Sequence, residues 1–133
     1  PALSVPSLEY LADESDIRFI PEGKPDIKDP GAMEIIYDKA PVKAIRQLQE
    51  LREHTNKKLK EISCPVLAFK STEDHVVPHE NTDHIMKQIL SECKRSITLK
   101  NSYHVATLDY DKDIIVEESH SFIQTQIKGL EYA

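Results

Sequence analysis

Short apolar clusters separated by polar stretches run along this chain, and the spacing inside each cluster predicts an element. Ala44, Ile45, Leu48, Leu51 and, after a polar gap, Leu59 recur at helical steps. Pro41 suits the first turn, where its missing N–H would have no partner anyway. The spacing therefore predicts an amphipathic helix of about five turns from Pro41 to near Lys60. "CPVLAF", residues 64–69, is a continuous apolar run bounded by Pro65 and a polar cluster. Such runs mark strands buried on both faces of a parallel sheet. Ile85, Met86, Ile89, Leu90 and Cys93 mark one face of a second helix, "SITLK" at 96–100 reads as a second strand, and Ile114, Ile115, Phe122, Ile123 and Ile127 mark a last helix beginning near Asp109. Strand, helix, strand, helix is one right-handed crossover unit of the α/β class.

Residues 1–40 lack such periodicity. Pro1, Pro6, Pro21, Pro25 and Pro30, with Gly23 and Gly31, interrupt every apolar cluster there, so the expectation is loops with one or two short helices.

Composition narrows the function. At 133 residues, 39% hydrophobic and 30% charged, the chain is about one globular domain. A formal charge of −6 argues against a nucleic-acid partner, which needs a basic surface to release counterions from phosphates. No apolar run approaches the roughly 18 residues of a membrane span, and no basic-then-apolar leader opens the chain; a cytoplasmic location is the expectation. Cys64 and Cys93 have no CxxC spacing, so both are expected to be reduced and buried. With only three glycines the chain cannot build a phosphate-cradling loop or a dinucleotide fingerprint, and no cofactor is implied.

In a parallel sheet, reactive groups gather beyond the carboxyl ends of the strands. Asp74 follows the first expected strand and His104 the second, so neighbouring strands would bring both to one rim. There a carboxylate can hold a histidine tautomer and support the imidazolium formed in general-base catalysis.

The runs "CPVLAFKSTEDHVVPHENTDHI" and "LKNSYHVATLDYDKDIIVEESHSFI" resemble the C-terminal part of the α/β-hydrolase family, above all bacterial carboxylesterases and monoacylglycerol-lipase-like enzymes. In that family the triad acid sits in an x-x-D-x-V-V-P loop, which falls on Asp74, and the base in an S-x-H-V loop, which falls on His104. The resemblance spans about residues 61–128. It implies that residues 61–133 form the C-terminal part of the hydrolase core, with the last two parallel strands and flanking helices, and that residues 1–60 form a helical cap over an acyl pocket. It also implies a serine hydrolase of carboxylic esters, with a small-molecule ester as substrate.

The family's nucleophile lies in a GxSxG elbow. None of the ten serines here has glycine two residues before and after it. The expectation is a chain that carries two triad members and depends on a missing N-terminal half for the serine and oxyanion hole. Alone it would be inactive, and its open sheet edge would pair with that half, join a second copy or aggregate. The alternatives are a thioesterase, haloperoxidase-like or acyltransferase chemistry on the same acid and base, or a non-catalytic interaction module.

Other candidates have simpler readings. Asp74 could cap its own loop backbone, and Glu73 is the neighbouring alternative carboxylate. His75, His79, Asp83 and His84 suggest zinc, but Pro78 breaks the helix that would align the first pair, and a five-residue step separates His79 from His84. No metal site is expected. The acids of "DYDKD" lack the glycine and final glutamate of a calcium loop; capping of the last helix accounts for them. His54, His120 and the run "REHTNKKLKE" are expected to face solvent.

Overall fold

The computed structural model describes residues 18–21 and 23–131; any helices within residues 1–17 lie outside the described residues. Four strands and three helices occur among them: β1 (Phe19–Pro21), β2 (Lys39–Pro41), α1 (Val42–Lys58), β3 (Val66–Ser71), α2 (Glu80–Gln88), β4 (Lys94–Leu99) and α3 (Lys112–Glu131). Short 3-10 turns lie at Leu59–Glu61 and Ala106–Leu108.

The crossover order matches the sequence pattern. β3 pairs with β4 in parallel, from Val66 opposite Lys94 to Ser71 opposite Leu99. One further bond at each end prolongs the ladder, Val66 N–H to Cys93 C=O and Thr72 N–H to Leu99 C=O, each 2.9 Å. Leu99 is buried in β4, with Ile89 beside the end of α2 and Leu59 in the first 3-10 turn completing the core with Val42 and Ile45 of α1.

Several expectations are corrected. Residues 23–38 form the expected loop, with no helix in it, but that loop joins two unforeseen strands: β1 and β2 pair antiparallel, Phe19 opposite Pro41 and Pro21 opposite Lys39. Both prolines sit at strand ends, where a missing N–H disturbs the ladder least. Only Val42 and Ile45 of α1 are buried, while Ala44, Leu48 and Leu51 are exposed. β3 is half-buried from Val66 to Lys70 and buried only at Ser71, rather than covered on both faces, because β4 is the only strand paired with it among the described residues. α2 stops at Gln88, since Ile89 turns extended; Ile89 is then buried, and Leu90 and Cys93 point outward. The Lys94 ammonium donates to the Met86 and Ile89 carbonyls, at 2.8 and 3.0 Å, answering acceptors left open at the helix end. Cys64 is exposed as well, and both cysteines are free thiols.

Of the acids of "DYDKD", Asp113 lies in the first turn of α3, whereas Asp109 and Asp111 direct their carboxylates to other backbone. Asp109 is 0% exposed. Its carboxylate accepts four backbone N–H groups: Lys28 at 2.7 Å, Tyr103 at 2.9 Å, Tyr110 at 2.8 Å and Asp29 at 3.1 Å. Two donors come from the segment between β1 and β2, and one from the loop after β4, so a single side chain ties the early segment to the core. Burial pushes the Asp109 carboxyl up, but the donated N–H groups more than offset this and hold it below the usual carboxylate range. Asp111 starts α3 through its carbonyl, which accepts from Ile115 N–H at 3.1 Å. Its carboxylate turns back to Asn101, accepting from the backbone N–H at 2.8 Å and from the side-chain amide at 3.3 Å.

Replacing Asp109 by alanine strands buried donors, each costing about 1–3 kcal/mol. Asp109→Ala is expected to lower unfolding free energy by about 3 kcal/mol or more, read from urea denaturation. The depressed carboxyl also fixes a pH dependence. Its stabilisation is fully present above the ordinary carboxylate pKa of about 3.9 and is lost as pH falls from there through the folded-state value. Wild type should therefore lose more stability than Asp109→Asn in denaturation series taken from about pH 6 to 3.

Candidate active site

β3 and β4 deliver the two predicted residues to one rim. Asp74 lies three residues past the end of β3 at Ser71, and His104 five past the end of β4 at Leu99. The structure brings them together: His104 Nδ1 is 3.0 Å from Asp74 Oδ2. An ionised carboxylate only accepts, so this geometry puts the proton on Nδ1 and leaves Nε2 an acceptor on the far side of the ring. The Asp74 side chain is 16% exposed and that of His104 39%, so the carboxylate lies deeper and the imidazole reaches solvent.

Asp74 also performs the local task weighed against the catalytic one. Its other oxygen, Oδ1, accepts from the Val76 N–H at 2.9 Å and the Val77 N–H at 2.7 Å. The turn and the contact with His104 use different oxygens, and the turn fixes the plane of the carboxylate that meets His104. Glu73 points elsewhere, forming a 3.2 Å ion pair with Lys28.

The His104 loop contains no glycine, and side chains hold its backbone. Asn101 N–H donates to Asp111 and Tyr103 N–H to Asp109. The Tyr103 carbonyl accepts from the Ser71 hydroxyl at 2.7 Å, and the Ser102 hydroxyl accepts from Asp111 N–H at 2.9 Å. Ser71 and Ser102 are both buried, so these bonds are shielded from water.

Asp26, between β1 and β2, completes the arrangement. Its carboxylate accepts from the His104 N–H and the His75 N–H, each at 3.1 Å, and lies 2.7 Å from His75 Nδ1. Burial raises the Asp26 carboxyl, while the His75 ring and the two amides bring it below the usual range. Nothing in "KPDIKDPG" separates Asp26 from its neighbouring acids. The Ser71 hydroxyl was equally silent in the sequence, whereas Ser102 is the serine of the S-x-H-V loop.

Two open cavities border the pair. One of about 240 Å³ is lined by Phe69, Ser71, Asp74, Val77, Leu99 and His104 among others. The second, of about 330 Å³, also borders His104 and is lined by Glu34, Phe69, Ala106 and Ile115 among others. Apolar walls with a few polar groups suit a small, partly apolar ligand. The other histidines disperse: His75 meets Asp26, His79 lies 3.4 Å from Glu80, and His84 Nε2 lies 2.9 Å from Asn56 Oδ1. Asp83 pairs with Lys70 at 2.7 Å, and that ammonium holds its carboxyl below the usual range. No metal-binding group forms among the described residues.

Comparison with known proteins gives this geometry its context. A thermostable monoacylglycerol lipase of Bacillus sp. (strain H-257) is 46% identical over 105 residues, covering 79% of this chain and 42% of that protein. A carboxylesterase of Bacillus subtilis (strain 168) is 23% identical over 88 residues, 66% of this chain and 36% of that one. A solved structure from work on LipS and LipT, two metagenome-derived lipolytic enzymes, superposes with a TM-score of 0.86 at 40% identity, over 94% of this chain and 51% of that chain. The monoacylglycerol lipase of Paleococcus ferrophilus shares the fold, with a TM-score of 0.70 at 16% identity over 93% of this chain and 52% of its own. The chain thus spans about half the length of these relatives, or less. A family model matches residues 3–111, a stretch that includes both loops of the rim. With β3, α2, β4 and α3 in the order of the last part of a hydrolase sheet, this chain belongs to the α/β-hydrolases, in the family described as Serine aminopeptidase, S33.

Proposed function

We propose that these residues serve a serine hydrolase of carboxylic esters, as the C-terminal part of its fold. The observation that carries this reading is the 3.0 Å contact between His104 Nδ1 and Asp74 Oδ2 beside an apolar cavity. His104 acts as general base through Nε2, taking the proton of a serine hydroxyl as it attacks the ester carbonyl, and then as general acid, returning that proton to the leaving alcohol. Water repeats the cycle on the acyl-enzyme. Asp74 keeps the ring in its working tautomer and stabilises the imidazolium.

The serine and the oxyanion donors come from sequence outside these 133 residues, a reading supported by the lack of a GxSxG elbow and by relatives about twice as long. Residues 1–60 act as the cap. Glu34 on the second cavity supports that assignment for part of the segment. Exposed apolar side chains such as Leu48, Leu51, Val116 and Ile123 support docking of the remaining fold or a second copy. The substrate is a small or medium acyl ester, with the monoacylglycerol lipase and carboxylesterase relatives favouring an ester over the amide in the family's description.

In the full-length polypeptide carrying these residues, p-nitrophenyl butyrate should be hydrolysed and an aminoacyl p-nitroanilide should not. Asp74→Asn should lower kcat by about 10³–10⁴-fold with thermal stability little changed, because the amide can present an N–H and favour the wrong tautomer. Wild-type activity in that variant would remove Asp74 from the mechanism. The 133 residues alone should not exceed the esterase rate of free imidazole, for want of a nucleophile and oxyanion donors. Turnover by the purified fragment that vanishes in its His104→Ala variant would place the nucleophile within it.

A further inference from the structure

We propose that Asp26 is a positioning residue for the Asp74–His104 pair, one carboxylate that clamps the two loops to each other. The inference rests on reading that pair as catalytic. It concerns what sets the distance between the two residues, which the sheet does not.

The β3–β4 ladder ends with the bond from Thr72 N–H to Leu99 C=O. Beyond it Asp74 and His104 are no longer held by strand pairing, and the Ser71 hydroxyl bond to the Tyr103 carbonyl stops one residue short of His104. Asp26 Oδ2 accepts from the backbone N–H of His104 itself and from that of His75, the residue next to Asp74. Both bonds measure 3.1 Å and meet at one oxygen, so the two amides cannot separate without breaking one. The Asp26 carbonyl adds a third tie, accepting from Val105 N–H at 3.2 Å. Its remaining oxygen, Oδ1, lies 2.7 Å from His75 Nδ1.

The clamp is itself fixed. The His75 ring packs edge-on against Tyr103, with centroids 4.6 Å apart. The Lys28 ammonium lies 5.3 Å from the Tyr103 ring centre and pairs with Glu73. Two residues from Lys28, Asp26 is anchored by the bonds from Lys28 and Asp29 N–H to buried Asp109. Asp26 touches neither cavity described above. It therefore acts through His104 and not on substrate, and its loss should reach the chemical step before it reaches binding. A displacement near 1 Å in a reacting group can cost about 10²-fold in rate.

The test uses the full-length polypeptide with p-nitrophenyl butyrate as probe and His104→Ala as reference. Asp26→Ala should lower kcat by about 10–100-fold and leave KM within about twofold. Asp26→Asn, which keeps the shape and one acceptor oxygen, should fall between it and wild type; it decides the matter if the alanine variant does not fold. His75→Ala keeps both amide bonds and should lose less than Asp26→Ala. The downfield proton resonance of the His104 Nδ1–H bond to Asp74 should broaden or disappear in both Asp26 variants well below their unfolding temperature, although neither partner has changed. Wild-type kcat and an intact resonance in a folded Asp26 variant, with His104→Ala inactive, would overturn the clamp while leaving the catalytic reading in place. Activity retained by His104→Ala would instead sink the catalytic reading on which the clamp rests.

Discussion

A carboxylate sealed from water must be answered by N–H donors from the protein, and Asp109 is the place where this chain meets that requirement. Its four donors are drawn from both ends of the chain, with Lys28 and Asp29 on one side and Tyr103 and Tyr110 on the other. Those bonds bring the stretch between β1 and β2 against the loop after β4. Had the acid merely capped α3, the early segment would lack this anchor, leaving the bonds of Asp26 itself and the Lys28–Glu73 pair to join it to the rim.

The rim continues the same device. A loop that presents a side chain at a fixed point needs a fixed shape, and with glycine scarce this chain fixes shape by giving backbone amides carboxylate partners. Asp111 takes Asn101, Asp109 takes Tyr103, Asp26 takes His75 and His104, and Asp74 takes Val76 and Val77. Charge-assisted bonds of this kind are shorter and stronger than neutral ones. The acidic balance of the chain is thus partly spent on backbone geometry.

The packing has an open side. A parallel sheet is stable when both faces are covered, yet β3 is half-buried and most of β4 is exposed. Val116 and Ile123 of α3 and Leu48 and Leu51 of α1 also face outward. The described core is small because a two-stranded sheet can bury only what its own crossover helices reach. The same openness leaves His104 lining two open cavities rather than one enclosed pocket.

Local pattern alone determined the crossover unit: the apolar run before Lys70, the helical spacing of Ile85, Met86 and Ile89, and the run before Lys100 each report a property of a few adjacent residues. Chain order then placed Asp74 and His104 after successive strands, and their motifs assigned them to a family. Tertiary structure decided what depends on residues far apart. Asp26 and Asp109 look like any surface acid in the sequence, since burial and donors arriving from about 80 residues away leave no trace in spacing. Leu48 and Leu51 look like core, because periodicity shows that a helix has an apolar face but not whether anything covers it. β1 and β2 were invisible for the same reason: a three-residue strand owes its existence to its partner, and that partner lies on the far side of a long connection.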